Sequence, residues 1–308
     1  MAESERGISL KKLQTRMLLF ILVPTLIFFV GMIVYVSYTV NDIAKRDAEE
    51  MLEAHGEALS NELRIELEAA LSSVQTLSGS FEGIIERAST PRRENANVML
   101  QQLLENNPHA VTAWMFWEEN AFDGKDEEYV DTPGHDGTGR FIPVWSQGES
   151  GDFVVEPVLD YDKPGDVQEN LNNVLKTGKD AIFEPFTYEI GGQTALITSI
   201  VSPVTVDGET IGMTGVDILL DRLDDRISKF SFYDSGFAGL MSNSGNVLSH
   251  QNTALIGENY FESEAMERHP DLDSVMKAVK TGDQIKIEGH SNALKKDVYR
   301  LFTPLTIG

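Results

Sequence analysis

The sequence predicts an α+β chain: a long N-terminal helix that crosses a membrane and continues as a stalk, then two modules on antiparallel sheets, the second truncated. Three observations carry this. Residues 17–40 form an uncharged apolar run. A helical stripe follows it to about residue 88. After that the order helix, strands, helix, strands comes twice.

The run MLLFILVPTLIFFVGMIVYVSYTV, from Met17 to Val40, spans a bilayer at about 1.5 Å per residue. It is too long for a signal-peptide core, and no small-x-small cleavage site follows it. Pro24 is tolerated in a membrane helix, and Tyr35 and Tyr38 lie near the far end, where aromatic rings favour the interface. Lys11, Lys12 and Arg16 precede the run, while Asp47, Glu49 and Glu50 follow soon after it. The positive-inside rule then places residues 1–16 in the cytoplasm and everything after Val40 outside, in a protein of the cell membrane.

Residues 41–90 are expected as a stalk helix. Leu52, Leu59, Leu63, Leu67, Leu71, Val74, Leu77, Phe81 and Ile85 recur at helical spacing, and Glu62, Glu66 and Glu68 lie off that stripe. Such a helix is about 70 Å long and serves both to pack on the modules and to pair subunits in a homodimer near the membrane. Thr90-Pro91 ends it, because proline cannot continue a helix.

The first module is expected over residues 91–230. Arg93 to Asn106 reads as a helix, and Ala110–Trp117 and Phe153–Val158 as strands. Ala181 to Ile190, then Gly191-Gly192, then Thr194 to Val206 reads as a hairpin. Asp207-Gly208 turns the chain into a third strand, Thr210 to Leu220, and Asp221 to Phe230 is helical. Residues 121–150 and 159–178 read as long closing loops. The second module covers 231–308. Gly236 to Ser242 and Asn246 to His250 form a hairpin, Asp271 to Lys280 a helix, and Gln284 to Gly289 and Asp297 to Leu305 strands. The stop at Gly308, just after a strand, fits a fragment boundary.

Composition removes several functions. There is no cysteine among the 308 residues, which excludes disulfides, thiolate metal sites and cysteine nucleophiles. A net charge of -24 repels phosphates and anionic lipid, so no nucleic acid partner is expected. No Gly-x-Ser-x-Gly, phosphate-cradling glycine loop or His-Glu-x-x-His is present. No enzyme activity, cofactor or metal is therefore expected. Asp123, Asp126, Glu127, Glu128 and Asp131 crowd one loop without EF-hand spacing and read as a solvated acidic loop.

The blocks AWMFWEENAFDGKDEEY, HDGTGRFIPVW, EPVLDYDKPG, TGKDAIFEPFTYEIGG, ITSIVSPV, IGMTGVDILLD and GFAGLMSNSGNVLSH stand in this order. On them the chain resembles the double Cache (dCACHE) sensor region of bacterial methyl-accepting chemotaxis proteins, over residues 1–308. The resemblance implies two PAS-like Cache modules, a ligand pocket in the membrane-distal one, and a receptor for chemotaxis signal transduction. The alternative is the sensor of a membrane histidine kinase or cyclic-dinucleotide synthase with its catalytic domain beyond Gly308.

The pocket candidates are Asp217, Tyr188, Phe186, Trp145, Trp117, Tyr161 and Arg140. Asp217 lies at a strand end between apolar neighbours, where a carboxylate is costly unless paired. It either holds a ligand ammonium, as the resemblance implies, or caps the following helix. Trp114, Trp117, Trp145, Tyr161, Phe183, Phe186 and Tyr188 concentrate aromatic faces, which attract cations. Strand alternation puts Phe186 and Tyr188 on one face, and Phe183 is assigned to the core. Arg140 either clamps a ligand carboxylate or pairs with Asp136 or Asp160. Where amino-acid-binding members carry Arg-x-Trp-Tyr and Tyr-x-Asp, this chain has Glu169 to Asn172 and Phe186-Thr187-Tyr188. The expected ligand is thus an amine, a quaternary amine or an amino acid.

Overall fold

The computed structural model describes residues 2–87, 92–148, 151–233, 236–263, 266, 269–291 and 296–307, with side chains described from Thr15 onward, Glu86 and Ser291 apart. The helix stop expected at Thr90-Pro91 lies outside the described residues. The chain divides into two units, Met1–His55 and Gly56–Gly308.

The first unit lies within helix α1, Ala2–Arg87. Its stretch from Met17 to Val40 is long and apolar enough to cross a membrane. Large apolar side chains stand exposed there, from 44% at Val23 to 81% at Phe20. A water-soluble surface does not carry a contiguous apolar sleeve of that kind.

The second unit is built on one antiparallel sheet. Its strands are β1 (Ala110–Trp117), β2 (Pro143–Gln147), β3 (Phe153–Pro157), β4 (Ala181–Ile182), β5 (Phe186–Ile190), β6 (Gln193–Val206) and β7 (Glu209–Leu219). They run in the order β3-β2-β1-β7-β6-β4, and β5 also pairs with β6. Two tight hairpins set the register. Gly191 and Gly192, at φ 57 and 77, join β5 to β6; Asp207 and Gly208, at φ 54 and 84, join β6 to β7. Positive φ at both central residues matches the twist of the flanking strands, which explains the Gly-Gly and Asp-Gly pairs.

Helices cover both faces of the sheet. On one, Leu67, Leu71, Val74, Leu77 and Phe81 of α1, with Ala96, Leu100 and Leu104 of α2 (Arg92–Asn106), pack on Ala113, Met115, Trp117, Val216 and Ile218. On the other, α3 (Asp166–Thr177) brings Leu171 and Val174 against Trp114, Phe116, Ile197, Val201 and Met213. The period-two alternation of β1 and β7 assigns their side chains to the two faces.

Helix α3 corrects the expectation of a loop over 159–178. Val167, Leu171 and Val174 recur at steps of four and three, a helical stripe. Gly165 at its start has φ 155 and ψ -176, and Gly178 closes it in the left-handed conformation at φ 59. Strand β2 likewise emerges from a segment read as loop.

After β7 comes α4 (Leu220–Ile227). Two short pairs follow: β8 (Ser231–Phe232) with β9 (Gly236–Phe237), and β10 (Leu240–Met241) with β11 (Val247–Ser249). The hairpin expected from Gly236 to His250 is therefore interrupted at Ala238-Gly239, and its first part pairs backwards. Helix α5 (Leu272–Thr281) and the hairpin of β12 (Ile285–Ser291) and β13 (Lys296–Phe302) complete the described elements. Phe261, Met266, Val275 and Ile287 form the core here. The stalk part of α1 reaches this region too: Ser60 donates to the Pro304 carbonyl at 3.1 Å, and a Cβ at Gly56 would meet Leu301 at 3.3 Å.

Candidate functional site

The site forms where β7 and β1 lie side by side. Thr112 of β1 faces Asp217 of β7, and Trp114 faces Gly215. A Cβ at position 215 would stand 2.6 Å from the Trp114 ring. Glycine there lets the indole lie flat on β7 and reach Asp217.

Asp217 is 3% exposed. Its Oδ1 accepts from Ser199 Oγ at 2.6 Å and Trp114 Nε1 at 2.9 Å, and Oδ2 meets the Thr112 hydroxyl. No cationic side chain pairs with it among the described residues. Burial pushes its pKa above the usual carboxylate range, against the opposing effect of the three hydrogen bonds. The helix-cap alternative is overturned: α4 is capped at Leu219, two residues later, without a side-chain bond.

A cavity of about 30 Å³ opens beside this carboxylate. Ser199 and Asp217 line it together with the aromatic Trp114, Phe183, Phe186 and Tyr188 and the aliphatic Val144, Val158, Val167 and Leu171. Asp217 is the only charged residue in this lining. A water needs roughly 10–15 Å³, so the space holds about two waters and any larger guest requires the walls to part. Leu159 N donates to the Tyr188 hydroxyl at 2.9 Å, and Tyr161 donates to Asp136. These bonds hold the segment between β3 and α3 down over the cavity. Burial, with Asp136 beside it, pushes Tyr161 up to about 12.

The structure brings together Asp217, Phe186 and Tyr188 of the expected residues. Phe183, assigned to the core, lines the cavity as well, with its ring 6.5 Å from Phe186. The strand breaks after Ile182 and restarts at Phe186, so the alternation slips across Pro185. Trp117 and Trp145 belong to the opposite face of the sheet. Trp117 packs on Phe81 of α1, and Trp145, opposite Ala113, donates to Asn97 of α2 at 3.0 Å. Trp117 lies three residues from Trp114, so alternation alone separates them. Trp114 and Ser199, which both donate to Asp217, line the cavity and stand outside the expected residues, as do the four aliphatic side chains.

Tyr161 stacks edge-on against Phe116 at 5.5 Å, outside the cavity lining. Arg140 is committed elsewhere. Its guanidinium lies 4.3 Å above Phe116 and bonds Glu118 at 3.0 Å and the Trp117 carbonyl. Only its backbone N–H reaches Asp136, at 3.2 Å, so the expected side-chain pairing with Asp136 or Asp160 does not form. The acidic loop is not simply solvated. Asp123 and Asp126 both bind Arg93, at 2.7 and 2.5 Å. Among the described residues no cluster of three metal-ligating side chains forms.

No family model matches the chain. Among solved structures, the extracellular domain of a protein assigned as a histidine kinase, mmHK1S-Z3, is 31% identical with TM-score 0.73, covering 85% of this chain and 91% of that one. Methyl-accepting chemotaxis protein X is 27% identical with TM-score 0.68, covering 84% and 91%. Methyl-accepting chemotaxis protein TlpQ of Pseudomonas aeruginosa is 29% identical over 181 residues, 54% of this chain. That match spans only 25% of TlpQ's length. With the apolar stretch of α1, these relatives make the protein a membrane protein with an extracytoplasmic ligand-sensing domain. The chain belongs to the double Cache family of receptor sensor domains, found in chemoreceptors and sensor kinases alike.

Proposed function

We propose that the protein is the ligand-binding region of a transmembrane chemoreceptor, and that its ligand is a small amine without a carboxylate. The observation that carries this reading is the lining of the cavity: one buried carboxylate, Asp217, ringed by Trp114, Phe183, Phe186 and Tyr188. A carboxylate with aromatic faces around it suits an ammonium group, each face adding roughly 0.5–2 kcal/mol. An amino acid brings a carboxylate of its own, and the lining offers no cation to meet it, because Arg140 is engaged with Glu118. The membrane-distal module, residues 91–230, is the functional one in this reading. A membrane crossing by residues 17–40 and a homodimer paired along α1 belong to it too.

The second reading, the sensor of a histidine kinase, is favoured by the 31% identical mmHK1S-Z3 domain. A methylatable helical hairpin downstream in the gene would support the chemoreceptor; an ATP-binding domain would support the kinase.

The test is a thermal-shift screen of the detergent-solubilised protein against amines and amino acids, since a ligand that binds only the folded state raises Tm. Calorimetry on wild type and Asp217→Asn follows with each hit. Loss of a buried charge partner costs about 3–5 kcal/mol, so affinity should drop about 100-fold or more. Unchanged affinity in the variant, or hits confined to carboxylate-bearing ligands, would overturn the amine reading.

A further inference from the structure

We propose that Asp217 holds a proton when no cation is bound, and that the amine enters by exchange, releasing that proton to solvent. The inference rests on the amine reading above and concerns how the same site is regulated.

The first argument is the surroundings. From β1, Thr112 and Trp114 face Asp217; from β6, Ser199 does. From β2 and α3 come Val144, Val167 and Leu171. Tyr188 of β5 is the other titratable group in the lining; burial pushes its hydroxyl well above its ordinary value, against the opposing hydrogen bond from Leu159 N. Beyond Tyr188 lie the carboxyl groups of Glu156 and Asp160. The lining thus offers Asp217 no cation, and the cavity is too small for a deep hydration shell.

The second argument is the hydrogen-bond inventory. Trp114 Nε1 can only donate, and it donates to Oδ1 together with Ser199. Oδ2 meets a single group, the Thr112 hydroxyl, which can accept as well as donate. A neutral acid therefore satisfies this shell: Oδ1 accepts twice, and the Oδ2 hydroxyl donates to Thr112. An arriving ammonium brings a positive charge to the carboxyl group from the cavity. The carboxyl O–H bond breaks, its proton leaves to water, and the charge pair replaces a neutral acid. Asparagine reproduces the neutral shell, with its carbonyl as Oδ1 and its amide donating to Thr112.

Two measurements on the detergent-solubilised protein test this. The first needs no ligand. The folded-state pKa of Asp217 lies above its unfolded value near 3.8. The folded chain then keeps a proton that the unfolded chain has lost, so ionisation at higher pH works against folding. Wild type should lose Tm relative to Asp217→Asn as pH rises from about 4 through the folded pKa, and the gap should then level off. Parallel curves, or a gap that widens towards acid, would overturn the proposal, because the three donors would then hold Asp217 ionised. The second is calorimetry with methylammonium and benzylammonium chloride in two buffers of different ionisation enthalpy. Below the folded pKa, about one proton should be released per amine bound, and affinity should rise about tenfold per pH unit. Binding without proton release overturns the exchange and leaves the amine reading intact. No binding by either amine overturns both.

Discussion

Arg93 shows how one side chain can hold a long connection in place. Its side chain is 2% exposed. It binds Asp123 through two nitrogens, at 2.9 and 2.7 Å, Asp126 at 2.5 Å and the Gly139 carbonyl at 2.9 Å. The guanidinium lies 4.2 Å over the Tyr129 ring. The connection from β1 to β2 is thereby tied to the first turn of α2. Its glycine at 139 is required, since a Cβ there would fall 1.8 Å from the Asp126 carbonyl oxygen. Arg93→Met removes the cation and strands two carboxylates with side-chain exposures of 11% and 4%. The expected loss is about 3–5 kcal/mol, measured by urea unfolding. Adding Asp123→Asn and Asp126→Asn should recover a good part of it, because the stranded charges go as well. A loss below about 1 kcal/mol would show that water reaches these carboxylates as on an ordinary surface. Nothing in the sequence marks this cluster. Its partners lie 30 and 33 residues apart, and the acidic run looks like a solvated loop until the fold delivers Arg93 to it.

At the scale of elements, legibility followed local periodicity. β1, β5, β6 and β7 were visible from alternation and from the Gly-Gly and Asp-Gly turns, and α1 from its stripe. Asp217 stood out because a carboxylate flanked by Val216 and Ile218 needs a reason. What failed was parity carried between strands. Residue type groups Trp117 and Trp145 with Asp217, whereas the register puts them under α1 and α2. Helix α3 was hidden by the glycines and acidic residues around it. Helix α4 gained a role that sequence alone does not show. Arg226 binds Glu62 at 2.6 Å and Glu66 of α1, and Asp224 accepts from Ser249 of β11 at 2.7 Å. The helix that follows the Asp217 strand thus touches both the stalk and the second module. Arg226→Ala should cost about 0.5–1 kcal/mol at low salt, because its side chain is 34% exposed. The gap to wild type should shrink at 0.5 M salt, where the screening length falls to a few ångströms. Equal unfolding midpoints at low salt would mean that the pair holds nothing.

At the scale of the molecule, the division at His55 makes a prediction about autonomy. The unit Gly56–Gly308 contains both helix-covered faces of the sheet and the second core around Phe261 and Val275. Its first deeply buried stalk residue is Leu63, 3% exposed, two turns inside the cut. The contacts nearest the cut, Gly56 with Leu301 and Ser60 with Pro304, are peripheral and partly solvated. Removing residues 1–55 also removes the apolar sleeve of Met17 to Val40, which is what calls for detergent. A fragment of about 250 residues is large enough to bury its own core. Fragment 56–308 should therefore fold without detergent and melt in one cooperative transition. Fraying at the cut should cost no more than about 1 kcal/mol, which for a domain of this size lowers Tm by about 2–4 °C. The measurement is circular dichroism melting of the fragment beside the full chain in detergent. A broad melt, or one lowered by about 10 °C or more, would mean that the helix before Gly56 is part of the cooperative unit.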